Sequence, residues 1–371
     1  MTPVPRRALI VSADIGEGHN SAARALEEAI PRVWPGCQVG WLDALDALGP
    51  GFASLARAFY VTQVRRTPRM YEFFFSAMWR HRWYLESTRK GMGWWFGRRM
   101  QAPVRAFDPD VIISTYPLGS AGLSWLRSHR MLAAPTGAWV PAFCPHPSWL
   151  YRNLDITYVM HPDALDVAVK AEPGLRVAVG SLPVRDAFAP ADQAAARERL
   201  GVPSGRFVVL LTAGSLALGR MGRGVSAVLA SGPDIQAVMI CGHNERLRAE
   251  LAALGQPPDR LRVLGWTDDM PGWMAAADVV IGNAGGATGL EALASGRRLV
   301  MFDPIAGHGR ANAELMASAG LAVLARSPSE LTATIRRLAG DPAARPGPPA
   351  PALPAAAGRR REDDLAALAG R

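Results

Sequence analysis

Two successive series of apolar runs, each run followed by a helix-like stretch, constrain this chain more than any other feature. The first series is ALIVSA, CQVGWLDA, DVIIST, ITYVM and LRVAVG; the second is FVVLLTAG, IQAVMICG, RLRVLG, DVVIGN and RRLVMFD. Parallel strands cannot be joined by hairpins, so alternation of this kind specifies strands connected by crossover helices. The expected fold is therefore α/β, built from two Rossmann-like doubly wound domains. A length of 371 residues agrees, being more than one hydrophobic core usually supports.

Between the series lies VGSLPVRDAFAPADQAAARERLGVPSGR, rich in Pro, Gly and small residues, which reads as a linker. It divides the chain into an N-terminal domain, 1–185, and a C-terminal domain, 186–340. From 341 to 371 the composition is too rich in Pro, Ala and charge to bury a core. A disordered tail, with or without a short terminal helix, is the expectation there.

Only Cys37, Cys144 and Cys241 are present, with no CxxC spacing, which suits a reducing, cytoplasmic compartment. Asp14 and Gly16 interrupt the first apolar run, so it reads as a strand and not as a signal peptide. No window approaches the roughly 20 apolar residues of a spanning helix. The net charge of +9 is concentrated in 51–106, where Arg and Lys face only Glu72 and Glu86 as acids. Within that stretch, RRTPRMYEFFFSAMWRHRWYLESTRKGMGWWFGRRM interleaves Arg with Phe, Trp and Tyr. Such a mixture suits an anionic membrane interface; an amphipathic helical pair packed on the core is the competing reading. No nucleic-acid-binding module is recognisable, so no nucleic acid partner is expected.

The first strand turns into a helix through GEGHN, residues 16 to 20. Gly16 and Gly18 would permit backbone conformations other residues resist, Asn20 or Ser21 would cap the helix, and His19 would project at its N-terminus. There the positive dipole end would keep the imidazole neutral and able to accept a proton; a loop histidine bonded to backbone is the alternative. As a dinucleotide fingerprint, with Asp43 as the ribose acid, the turn is incomplete, because Ser21 holds the third glycine position. Asp108-Pro109-Asp110 imitates a DxD metal motif but precedes a strand, so it reads as a turn. His81, His129, His161 and His243 have no metal-ligand spacing and read as surface or capping residues. Neither a metal nor a cofactor is called for.

The second half is more specific. In ADVVIGNAGGATGLEALASG a strand ends at Asn283, Gly285 and Gly286 make the turn, and Thr288 begins a helix whose free amides suit a diphosphate. Glu291, almost one turn along, could accept both ribose hydroxyls.

GGATGLEALASG followed by PIAGHGRANAELMASAG resembles the donor-binding signature of glycosyltransferase family 28, which has the GT-B fold, two such domains facing a cleft. GEGHNSAARAL, CPHPSWLYRNLDITYVMHPDA and AVMICGHNERLRAEL resemble blocks of its monogalactosyldiacylglycerol synthase and processive diacylglycerol glucosyltransferase branch. The resemblance implies inverting transfer from a UDP-sugar to a lipid acceptor, by an enzyme peripherally associated with the inner face of the cell membrane. It implies that His19 is the catalytic group, with Gly16, Gly18, His146 and Trp149 on the acceptor side. On the donor side it implies Gly214, Ser215, Gly242, Asn244, Gly265, Trp266, Thr267, Met270, Asn283, Gly285, Gly286, Thr288, Glu291, His308 and Asn312. Where the branch has an acidic residue before its HPxW block, this chain has Pro141; where the family has Gly-Gln-Glu, it has Gly307-His308-Gly309. Gly309 should then leave empty space near the sugar, giving poor discrimination between hexose epimers or room for a substituent such as N-acetyl. A nucleotide-sugar epimerase or hydrolase, or a membrane-binding protein that has lost turnover, are the other classes compatible with these residues.

Overall fold

Strands buried on both faces have no polar side to alternate with, which is why the central ones read as unbroken apolar runs. The computed structural model describes residues 4–341 and 359–370. In the first half, β1 (Arg7–Ser12) leads to α1 (Glu17–Val33) and β2 (Gln38–Asp43), and three helices follow: α2 (Phe52–Arg66), α3 (Pro68–Arg80) and α4 (Arg82–Phe107). Then come β3 (Val111–Ser114), α5 (Pro117–Ser128), β4 (Thr136–Trp139), β5 (Ile156–Val159), α6 (Pro162–Ala171) and β6 (Val177–Val179).

The second half begins with α7 (Gln193–Leu200), β7 (Phe207–Thr212), α8 (Met221–Leu229), β8 (Ile235–Ile240), α9 (Glu245–Ala252) and β9 (Leu261–Leu264). It continues through α10 (Met270–Ala276), β10 (Val279–Gly282), α11 (Ala287–Ala294), β11 (Arg298–Phe302), α12 (His308–Ser318), β12 (Ala322–Ala325) and α13 (Pro328–Gly340). A last helix, α14, spans Arg361–Ala369.

Each half forms a six-stranded parallel sheet, ordered β2-β1-β3-β4-β5-β6 and β12-β11-β10-β7-β8-β9. The chain reverses direction across each sheet, at β1/β3 in the first and at β7/β10 in the second. Beyond the carboxyl ends of such neighbouring strands, the outgoing loops part and leave a crevice for a ligand.

The units are Met1–Arg185 with Leu353–Arg371, and Asp186–Ala352. The expected tail therefore differs from the structure at its end. While 342–358 lie outside the described residues, α14 packs on α1 and the first sheet. Leu365 and Leu368 are fully buried, each contributing about 2 kcal/mol. Asp364, fully buried, accepts from Ser181 N (2.6 Å), Ser181 Oγ (2.7 Å) and Arg359 Nε (2.5 Å). Arg361 Nη1 donates to the carbonyls of Ala25 and Val184.

The basic aromatic segment divides between its two readings. Phe96, Met100 and Val104 of α4 lie in the core against α5, where a Cβ on Gly97 would stand 2.4 Å from Trp125. Trp95 turns inward onto Phe52, and Arg57 and Arg89 are bound to Asp14 and Glu172. The opposite faces are bare: Leu55, Phe59, Phe73, Phe74, Trp83 and Trp94 are exposed, and so are Arg65, Arg66 and Arg69. Among the described residues no helix is long and apolar enough to cross a membrane.

Candidate active site

In the first unit, the carboxyl ends of β1, β3 and β4 bring together residues far apart in sequence. His19 lies in the first turn of α1, and its Nδ1 is 2.7 Å from the carbonyl oxygen of Thr115, just past β3. A carbonyl can only accept, so Nδ1 carries the proton and Nε2 the lone pair. The ring meets Tyr116 edge-on at 5.1 Å and Trp149 at 5.8 Å. Burial lowers its pKa to about 4, against a smaller opposing effect of the Thr115 hydrogen bond. The imidazole is thus neutral, as the sequence led one to expect, but desolvation and not the helix dipole is the main cause.

The turn itself departs from expectation. Gly16 is the N-cap with extended backbone (φ 164°), Gly18 is helical, and neither adopts a left-handed conformation. Asn20 and Ser21 lie inside α1 and do not cap it; Asn20 Oδ1 instead accepts from Ser12 Oγ at 2.7 Å. Asp43 holds the turn after β2 with its carboxylate: one oxygen takes the amides of Leu45 and Asp46, the other that of Asp14. Asp110 likewise holds the amides of Arg6 and Arg7 at a turn.

The block containing His146 and Trp149 is fixed from α4. Arg89 Nη2 donates to the carbonyls of Pro147 (2.7 Å) and Leu150 (2.6 Å), while Nη1 pairs with the buried Glu172 at 2.6 Å. His146 stacks on Phe75 of α3 at 4.0 Å and reaches its carbonyl with Nε2 at 3.1 Å. Sequence reasoning missed the aromatic wall between His19 and the outer helices. Tyr116 is followed by Tyr60 on α2 and Tyr71 on α3, whose rings are 6.0 Å apart, and then by Phe75, 6.2 Å from Tyr71. Burial raises all three phenol pKa values, that of Tyr71 to about 12, so these hydroxyls keep their protons.

In the second unit, every residue expected at the donor lies at the carboxyl edge of the sheet. Gly214 and Ser215 follow β7; Gly242 and Asn244 follow β8; Gly265, Trp266 and Thr267 follow β9, and Met270 opens α10. Asn283, Gly285, Gly286, Thr288 and Glu291 span the turn from β10 into α11, and His308 and Asn312 lie in α12. Two glycines make the loops converge. At Gly242 (φ 54°) a Cβ would stand 2.3 Å from the Ser215 carbonyl oxygen, and at Gly285 (φ 65°) 2.8 Å from Asn312 Cβ.

The three asparagines clamp loops with their side-chain amides. Asn283 Nδ2 donates to Leu218 O at 2.6 Å, Asn244 Nδ2 to Ala217 O at 3.2 Å, and Asn312 Nδ2 to Ala284 O at 2.9 Å. The glycine-rich loop after β7 is also tied by Asp303, whose carboxylate accepts from Arg220 N at 2.8 Å and pairs with its guanidinium at 3.1 Å. Sequence reasoning did not find that pair. His243 is exposed, as the sequence suggested, and there it stacks parallel on Trp266, with centroids 4.6 Å apart.

The space expected at position 309 does not exist. Gly309 packs the first turn of α12 against the end of β10, so that a Cβ would stand 2.5 Å from Ile305 Cγ1 and 2.9 Å from the Asn283 carbonyl oxygen. The glycine serves close helix–strand approach and leaves no vacated sugar pocket.

Comparison with known proteins divides at the same place as the fold. Residues 19–176 match the monogalactosyldiacylglycerol synthase family, and 208–347 match the glycosyltransferase family 28 C-terminal domain. The chain is 25% identical over 349 residues to processive diacylglycerol beta-glucosyltransferases of Bacillus cereus and Bacillus thuringiensis, covering 90% of this chain and 86% of theirs. Among solved structures it is similar in fold to Acinetobacter baumannii MurG (15% identity, 99% of both chains, TM-score 0.59). A similar likeness holds for Anabaena HepE in complex with UDP and glucose (13% identity, 98% of this chain and 99% of that one, TM-score 0.59).

Proposed function

Because the chain belongs to glycosyltransferase family 28, with a monogalactosyldiacylglycerol synthase domain in its first half and the GT-B fold, we propose that it moves a sugar from a UDP-sugar donor to the hydroxyl of a diacylglycerol-type lipid, with inversion. The observation that carries this reading is the state of His19. Nδ1–H is committed to the Thr115 carbonyl, so Nε2 is the basic nitrogen, enclosed by aromatic rings in the unit whose outer helices expose apolar side chains and arginines.

Nε2 then takes the acceptor proton as the hydroxyl oxygen attacks the anomeric carbon and the bond to the diphosphate breaks. With a pKa of about 4, it accepts the proton late, once C–O bond formation has acidified the hydroxyl. Pro141 leaves no acid at the alternative catalytic position, so His19 carries this step. In the second unit, the amides opening α11 and the loops at Gly214 and Gly242 receive the leaving diphosphate, and Glu291 takes the ribose hydroxyls. The bare faces of α2 and α3 and Trp94 of α4 lie on anionic lipid at the inner face of the membrane, aromatics at headgroup depth and arginines on phosphates.

The test is transfer from labelled UDP-sugars to diacylglycerol in mixed micelles, with products identified by mass spectrometry. His19→Ala should lose on the order of 10²–10⁴-fold in turnover with UDP affinity unchanged. Release of free sugar without glycolipid, or a His19→Ala variant with near-full rate, would overturn the reading.

A further inference from the structure

The opposite, amino-terminal edge of the second sheet holds a charge that sugar transfer does not use. Arg297, between α11 and β11, is only 4% exposed and makes no side-chain hydrogen bond or ion pair among the described residues. Its charged neighbours are Arg197 of α7, also buried, and Asp278 at the foot of β10. Asp278 is already occupied. Its Oδ2 accepts from Arg197 Nη2 and Val208 N, both at 2.7 Å, and its Oδ1 from Gln193 Nε2 at 3.2 Å. Arg197 is satisfied as well, with Nε on the Ala276 carbonyl at 2.9 Å and Nη1 near those of Ser204 and Arg206.

Two buried guanidiniums therefore share the field of one carboxylate, and the second makes no direct ion pair. An arginine cannot escape by losing its proton, and an uncompensated buried charge is among the costliest features a fold can carry. The Arg297 side chain makes no hydrogen bond to the carbonyls at the end of α11 either; those of Glu291 and Ala292 accept the backbone amides of Ser295 and Arg297. Nε is sealed from solvent without a partner; the terminal pair, not so sealed, is the part of the side chain that a ligand would meet.

We propose that Arg297 and Arg197 form an anion site, where a small tetrahedral oxyanion of the phosphate type is held by the Arg297 fork with the Arg197 charge behind it. A planar guanidinium presents two parallel donors that match two oxygens of such an ion. The site is separate from the donor diphosphate, lying at the other ends of β10 and β11 from Asn283 and Asp303. Beside it, Ser295 Oγ donates to the Phe188 carbonyl at 3.1 Å and so ties α11 to the start of the unit. Occupancy would stabilise the helix that carries Glu291.

The experiment compares melting of the full-length wild type and Arg297→Leu as inorganic phosphate is titrated at constant ionic strength. Without phosphate the leucine variant should melt higher, since it buries no unpaired charge. With phosphate the wild type should rise saturably, and the gap should close. Phosphate binding at the donor loops would raise both proteins equally, so parallel curves overturn the proposal, as does a wild type more stable than the leucine variant without phosphate. Should Arg297→Leu fail to fold, calorimetry on Arg297→Lys decides: a several-fold loss of phosphate affinity is expected, because the charge remains without the fork, and unchanged affinity refutes the site.

Discussion

Lowering the pH from about 8 to about 4 on wild type and His19→Gln together isolates the state of one ring. In the folded protein His19 titrates at about 4 and in the unfolded chain near its ordinary 6.5. Between those values the unfolded state binds more protons, so stability from this residue is complete above about 6.5 and is lost as the pH falls towards 4. The shift converts to about 3 kcal/mol, or roughly 2 kcal/mol after allowance for the residue's partial exposure. Urea melts across the range measure it as the difference between the two proteins, which cancels every other titrating group. The wild type should lose that much more stability than His19→Gln. Its transfer rate should stay flat through pH 6.5 and fall only below about 5. Equal pH slopes in the two proteins, or a rate midpoint at 6.5, would show that the ring is neither enclosed nor held neutral, and the proposed base would fail with it.

Other perturbations follow from single contacts. Gly309→Ala should destabilise the second unit by about 1–3 kcal/mol in thermal melts, because its Cβ meets a carbonyl and a strand-end loop that cannot yield independently. Glu291→Ala should weaken UDP binding by roughly 1.5–3 kcal/mol in calorimetry, the scale of hydrogen bonds to a charged acceptor. Asp364→Ala should cost about 3 kcal/mol in stability, since it strips the Ser181 amide and hydroxyl of their buried acceptor. Phe59→Ser with Phe73→Ser should reduce sedimentation with anionic vesicles while leaving UDP affinity unchanged; equal sedimentation with neutral vesicles would place these faces elsewhere.

What could be read from the sequence was what local pattern controls. β7 and β8 are fully buried apolar runs, and such runs announce themselves. Two strands gave no such signal. β4 is TGAW, fully buried yet built around Thr136 and Gly137, and β12 is AVLA at a sheet edge, too short and too rich in alanine to separate from a helix. Gly137 is closed by a near neighbour and a distant one: a Cβ there would stand 2.8 Å from Trp139 on the same strand and 3.0 Å from Leu368 of α14. Nothing near position 137 reports that a helix formed more than two hundred residues later needs the room. The same holds for α14 itself, whose polar composition reads as a tail until Asp364 finds Ser181. The wall of Tyr60, Tyr71 and Tyr116 is invisible for the same reason, since its members come from α2, α3 and the end of β3.

The glycines show where sequence reasoning about a site stops. Gly242 and Gly285 were identified as loop glycines, and both need positive φ as well as close contact. Gly16 and Gly18 occupy an equally suggestive turn, yet one is extended and the other helical, conformations open to any residue. Gly309 is helical too, but its position is closed by Ile305 and by a carbonyl at the end of another strand. A missing side chain can thus mean a bent backbone, a close neighbour or nothing required, and only the neighbours distinguish them. That distinction decides a functional question. If position 309 were vacated sugar space, Gly309→Glu would tune donor choice; since it is a packing contact, that variant should lose donor binding for every UDP-sugar alike.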